Sequence, residues 1–134
     1  MSVIVTDTGF ELDDWNSGYC DAGQAANDAV ALDVPSDTDP ASVPLHSGLR
    51  MIRVDFPSSA DGRGFTIARQ LRLRGYQGRL RARGHVLADQ YAMARRSGFD
   101  EVEIDDALAA RQPEDQWLAR SNWQQHDYQS RLRG

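Results

Sequence analysis

Lysine is absent from this chain: all fifteen of its cationic residues are arginine. A phosphate-binding P-loop is therefore excluded, because its G-x-x-x-x-G-K-[ST] pattern needs that lysine. Cysteine is nearly absent. Cys20 has no second thiol to pair with and offers at most one of the four thiolates a typical iron–sulfur cluster takes, which fits a reducing cytoplasm. Long apolar runs are missing as well. Nothing approaches the roughly 18–20 apolar residues of a membrane span, and residues 1–7 meet charge after only a few apolar side chains. The expectation is a soluble, cytoplasmic chain with no membrane partner. His46, His85 and His126 stand too far apart for a helical metal pair, so no metal site is expected. No serine occupies a G-x-S-x-G elbow, and no base stands beside Cys20 in sequence.

What is present is charge segregated along the chain. With 134 residues and 40% hydrophobic content the sequence suits one domain around one core. Residues 1–49 carry nine acids and no base, and residues 50–96 carry eleven arginines against Asp55, Asp61 and Asp89. The remainder has eight acids and four arginines, and the three regional charges account for the net −5. Arginine's planar fork grips carboxylates and oxyanions bidentately, which suits the basic middle to anionic ligands. It equally suits an acidic N-terminal part that folds over that middle and neutralises it. The pI near 5.0 and the scattered aromatics argue against nucleic acid.

Turn and period signals divide the chain into an acidic, irregular segment over 1–50, a βαβαβ core over 51–104 and a helical tail over 105–134. Ser2–Thr6 and Phe10–Leu12 flank Asp7-Thr8-Gly9 as a small hairpin. "DDWNSGYCDAGQAAND" reads as loop, and "AVALDV" (29–34) as a short buried strand. Pro35, Pro40 and Pro44 mark a loop with one helical turn capped by Asp39. Then "MIRVDF", "GRLRARG" and "FDEVEI" read as strands. Between them "GFTIARQLRLR" and "VLADQYAMARRS" read as helices that stop at Gly75 and Gly98. Strands alternating with helices favour parallel pairing with right-handed crossovers, so the fold class expected is α/β with a small, mostly parallel sheet. Asp105 caps "DALAAR" and Pro113 opens a further helix. Trp117, Trp123 and Tyr128 leave an aromatic tail suited to the chain's own core or to a homodimer seam.

The candidate chemistry sits where "MIRVDF" passes into its helix, at Asp61-Gly62-Arg63-Gly64. In a parallel α/β sheet ligands collect beyond the carboxyl ends of strands, and a helix opening there offers free N–H groups to an oxyanion. Asp61, Gly62, Arg63 and Gly64 are therefore candidate anion-binding residues, joined by Arg69 on the helix and Arg81 on the next strand. Asp89 and Gln90 are supporting candidates. The loops at Gly84-His85 and Gly98–Asp100 are expected to feed the same crevice, bringing Arg81 or Arg83 near. The competing reading has Asp61 capping the helix and Arg63 paired with an acid of the N-terminal part. A dinucleotide fits poorly: Gly62 and Gly64 supply two glycines of G-x-G-x-x-G, but Ile67 stands at the third, and Arg81 and Arg83 occur where an NAD ribose wants an acid. No cofactor is evident. Asp89 follows His85 by one helical turn, a spacing that suits a local contact.

The motifs D-G-R-G-[FY], A-R-x-L-R, L-R-A-x-G, V-L-x-D-Q and G-F-D occur in order within residues 51–104. In these the chain resembles the bacterial domain of unknown function 934 family, which carries the label of an oxidoreductase involved in sulfite reduction. The resemblance brings no catalytic residues. It implies an accessory or binding protein of assimilatory sulfite reduction, with sulfite reductase as partner supplying the siroheme and iron–sulfur centre this chain cannot ligate. Alternatives are a small oxidoreductase with a non-covalently held cofactor or an oxyanion substrate, and a homodimeric structural protein. The family commonly has R-C-G-F where Arg96-Ser97-Gly98-Phe99 stands, which disfavours thiol catalysis here. It favours Asp where His85 stands, which removes His85 from any inherited site.

Overall fold

The computed structural model describes residues 2–22 and 29–123. The expected hairpin forms from Ser2–Thr6 (β1) and Gly9–Glu11 (β2), paired with Thr6 opposite Gly9, so the turn is the two residues Asp7-Thr8. Cys20–Asp21 (β3), within a stretch read as loop, adds parallel to Ala31–Val34 (β4). Asp39 caps a single 3-10 turn at Pro40–Ser42, its carboxylate accepting from Ala41 N–H at 3.0 Å. Met51–Phe56 (β5), Arg63–Leu73 (α1), Arg79–Gly84 (β6), Tyr91–Ser97 (α2) and Glu101–Asp105 (β7) follow in the expected alternation. Asp106–Arg111 (α3), capped by Asp105, and Glu114–Leu118 (α4) complete the described chain. The helix expected over 86–97 starts instead with a 3-10 turn at Ala88–Gln90. Its first amides are met by side chains: Leu87 N–H donates to Gln90 Oε1 at 2.9 Å and Ala88 N–H to Gln112 Oε1 at 2.6 Å.

The sheet order is β2-β1-β7-β6-β5-β4-β3, with β3 through β7 parallel and β1 and β2 antiparallel. From β4 to β7 each strand lies beside its predecessor, so crossovers of one hand put every connection on one face. The packing agrees. Ile52, Val54 and Phe56 of β5, Leu80 and Ala82 of β6, and Val102 and Ile104 of β7 share a single core with Phe65, Ile67, Leu71, Tyr91, Leu108 and Trp117 from the four helices. Full burial of a Leu, Ile, Val or Phe contributes about 1.5–3 kcal/mol, so this face holds the helices in place. Trp117 meets Tyr91 edge-on at 6.1 Å and donates Nε1–H to Gln112 O at 2.8 Å. Trp123 lies under the Arg95 guanidinium at 4.7 Å, and Tyr128 falls outside the described residues.

Among the described residues no helix covers the other face, and alternation fills it with charge. Register sets Asp33, Arg53, Arg81 and Glu101 side by side across β4, β5, β6 and β7. Arg53 donates to Asp33 (2.6 and 2.8 Å) and Glu103 (3.1 Å), and Arg81 donates to Glu101 (2.6 Å) and Glu103 (3.0 Å). The acidic N-terminal segment lies over this row: Asp13 accepts from Arg81 at 3.1 Å, Asp14 from Arg79 at 2.8 Å, and the Tyr19 ring sits 3.7 Å from the Arg53 guanidinium. A parallel sheet ordinarily wants cover on both faces. Here ion pairs and a strap of loop supply the second cover. Among the described residues no helix is long and apolar enough to cross a membrane.

Candidate functional site

Asp61-Gly62-Arg63-Gly64 lies beyond the carboxyl end of β5 and opens α1, where the sequence put it. Gly64 is required by a close approach: a Cβ there would stand 2.4 Å from the Phe56 ring, which closes the core beneath the loop. An anion-binding geometry has formed at this turn, and its occupant is the protein's own Asp61. That carboxylate accepts from Arg63 N–H at 3.1 Å, from Arg63 Nε at 2.9 Å and from Arg63 Nη2 at 2.7 Å. The Arg63 guanidinium, the Arg63 backbone N–H and the Ser36 hydroxyl together hold the Asp61 carboxyl far below the usual carboxylate range. Arg63 also donates to Ser36 Oγ at 3.1 Å, and its remaining surface faces a recess of about 300 Å³ with Asp37, Thr38 and Thr66. The acid that Arg63 takes is thus its neighbour two residues back.

The other candidates are dispersed. Arg69 is on the exposed side of α1. Arg81 is fully buried in mid-strand, where burial works against its charge and Glu101 and Glu103 more than offset that, raising its pKa. Its Nε and Nη1 donate to the acids of the strapped face, while its buried Nη2 makes no hydrogen bond among the described residues and comes no nearer than 3.6 Å to Asp14. Gln90 serves the loop: its Nε2 donates to Ser59 O at 2.9 Å and ties the segment before Asp61 to the 3-10 turn. Asp89 turns the opposite way and pairs with Arg120 at 2.9 Å, so the one-turn contact with His85 does not form. Gly98–Asp100 does not feed the crevice as expected. It leads into β7, so it lies at the amino ends of the strands; Asp100 N–H donates to Leu80 O there, and Asp100 joins a groove with Arg50, Arg72 and Arg79. Only Gly84-His85, of the two loops, reaches the carboxyl-end side.

The profile of the family described as bacterial protein of unknown function (DUF934) matches residues 29–134. The chain belongs to this family. No curated protein and no solved structure matches it. The match begins at Ala29, so the β1/β2 hairpin and the acidic strap with Asp13, Asp14 and Tyr19 lie outside it, whereas the Asp61 loop and the whole parallel run from β4 lie inside.

Two features of this family member bear on the thiol and dinucleotide readings. Ser97, where the resemblance leads one to look for cysteine, is 2% exposed and its hydroxyl is buried without a hydrogen-bond partner. A thiol at that place would be a packing group shielded from solvent. A dinucleotide seat loses its topological ground as well. The strands from β3 to β7 follow one another without reversal, so this run has no switch point at which helices part to opposite faces. At the carboxyl-end rim the open face carries Asp55 and Arg83, only loosely paired at 3.9 Å. Beside them lies a recess of about 440 Å³ with Tyr19, Asp33 and Arg53. The signal for this face was the alternation of Arg79, Arg81 and Arg83 against Glu101 and Glu103.

Proposed function

We propose that the protein is an accessory or binding protein of assimilatory sulfite reduction that acts beside a sulfite reductase. One observation carries the reading: the parallel strands wind in one direction, so the sheet presents a face without a helix among the described residues, whose carboxyl-end half bears Asp33, Asp55 and Arg83 on neighbouring strands. Such a face offers fixed, mixed charge for recognition of a protein surface, where complementary potentials set specificity and on-rate. The sulfite pathway comes from the family resemblance and the surface from the geometry, and the two arguments are independent. An oxyanion at Asp61–Gly64 fits this reading only by displacing the Asp61 carboxylate from Arg63, so that loop serves the fold first.

The test is affinity purification of the full chain from its native cell. Sulfite reductase subunits are expected among the recovered proteins, and charge reversal by Arg83→Glu is expected to deplete them. Purified chain and reductase that stay separate at micromolar concentration in low salt would overturn the proposal.

A further inference from the structure

The carboxyl ends of β5, β6 and β7 and the helix α3 frame a separate recess of about 260 Å³, to which neither Asp61 nor Arg63 contributes. Its charged lining is Asp55, Arg83, His85, Glu103, Asp105 and Arg111. Two of the acids are already committed. Glu103 accepts from Arg53 at 3.1 Å, Arg81 at 3.0 Å and Ser2 Oγ at 3.2 Å, and Asp105 accepts from Leu108 N–H at 2.8 Å as the cap of α3. The cations keep their hydrogen-bond donors, and Arg83 is only loosely paired. Arg83 comes no nearer than 3.6 Å to Glu103 and 3.9 Å to Asp55, and Arg111 and His85 make no side-chain hydrogen bond among the described residues.

That pattern differs from the chain's other clustered arginines. Arg53, Arg63, Arg72, Arg79, Arg81 and Arg95 all spend donors on carboxylates or carbonyls. A guanidinium carries five donors in a fixed fork, so two unspent forks in one recess amount to a large donor excess. The floor that holds Arg83 is stiff. Gly84 has φ +117°, and a Cβ on it would stand 2.5 Å from Phe56 O, while His85 N–H donates to that same carbonyl at 2.9 Å. The recess falls just short of the roughly 300–1,000 Å³ that drug-sized ligands occupy, so its guest is small.

We propose that this recess binds a small divalent oxyanion of the sulfite, sulfate or phosphate type, gripped by Arg83 and Arg111 with His85 as a further donor. Asp55 is the intramolecular competitor for Arg83 and yields to the ion. The inference goes beyond the accessory role and does not rest on it: a purified chain suffices to test it, with no reductase present.

The experiment is calorimetric titration of the full chain with sulfite, sulfate and inorganic phosphate in separate runs. One-to-one binding is expected for at least one ion, weakened at least tenfold by Arg83→Ala and by Arg111→Ala. Asp55→Asn is expected to tighten it severalfold, and Arg50→Ala, at the opposite end of the strands, to leave it unchanged. Preference for sulfite or sulfate over phosphate marks a sulfur-oxyanion ligand, and the reverse marks a phosphate-bearing one. Thermal unfolding of each variant checks that it folds. No heat from any of the three ions at millimolar concentration overturns the proposal. So does binding that survives both arginine substitutions, or that is lost only in Arg63→Ala.

Discussion

Replacing Arg81 by methionine isolates the contribution of the ion-pair row on the helix-free face. The guanidinium is fully buried, and it sits against Glu101 and Glu103, whose side chains are 8% and 6% exposed. Methionine keeps much of the stem's packing but strands those carboxylates. Glu103 retains Arg53, and Glu101 retains Arg79 at 2.8 Å, so neither is left wholly alone. Removing one partner of a buried pair costs about 3–5 kcal/mol, and the remaining partners place this case at the lower end. Stability of a domain this size is about 5–15 kcal/mol, so about 3 kcal/mol is a large fraction of it. The corresponding fall in Tm is on the order of 10–15 °C.

Urea unfolding followed by tryptophan fluorescence and far-UV circular dichroism gives the free energy directly. Arg120→Met supplies the contrast, because Arg120 and Asp89 are 51% and 83% exposed and such a pair contributes about 0–1 kcal/mol. The double variant Arg81→Met/Glu101→Leu removes the stranded carboxylate as well and is expected to recover part of the loss. A loss under 1 kcal/mol for Arg81→Met, or strictly additive effects in the double variant, would refute the claim that the row acts as a coupled, desolvated unit.

Two further outcomes follow from single side chains. Burial pushes the Asp7 carboxyl up, but the Tyr91 hydroxyl, Arg95 and the Trp123 indole outweigh it and hold the pKa below its ordinary value of 3.8. A group depressed in the folded state stabilises above its unfolded pKa and loses that contribution as pH falls below it. Wild-type stability is therefore expected to drop more steeply than that of Asp7→Asn between pH 4 and about pH 2, read as urea midpoints, and identical acid limbs would contradict the assignment. Ser97→Cys removes a buried hydroxyl that has no partner, so it is expected to raise stability by up to about 1 kcal/mol. A thiol reagent applied to the native variant is expected to label Cys20, which is exposed, and to spare the introduced thiol; rapid labelling of both would show that the position is accessible.

The strands and helices were legible because local signals agreed. "MIRVDF" alternates, and Ile52, Val54 and Phe56 do enter the core while Arg53 and Asp55 face away. Gly75 and Gly98 ended their helices, and Asp39 and Asp105 capped where expected. β3 was not legible, since two residues carry no period and Cys20 pairs only because β4 offers an edge. The start of α2 was missed for a tertiary reason: Gln112, from beyond α3, meets the amide of Ala88. The Asp61 loop was placed correctly along the chain. What spacing could not decide was whether Arg63 would turn outward or fold onto its own neighbour, because both conformations satisfy the same turn. The recess at Arg83 and Arg111 was invisible for a different reason. It joins residues from β6 and α3 that only the order of strands brings together.

Charge segregation along the sequence now has a structural meaning. The acidic N-terminal segment does neutralise the basic middle, through Asp7 on Arg95, Asp13 and Asp14 on Arg81 and Arg79, and Asp33 on Arg53. Those arginines are held in place by carboxylates, and the one donor Arg81 leaves unpaired, its Nη2, is buried out of a ligand's reach. Among the described residues four arginines remain without side-chain hydrogen bonds: Arg50, Arg69, Arg83 and Arg111. Arg50 stands at the amino ends of the strands and Arg69 on the open surface of α1. An arginine-rich composition by itself would scatter unspent guanidiniums over the surface, as it does with these two. Arg83 and Arg111 instead share one recess, at the carboxyl-end rim where parallel sheets place their ligands. The question that the glycine-flanked Arg63 raises is thereby moved along the rim: its fork is closed by Asp61, and the open forks are those of Arg83 and Arg111.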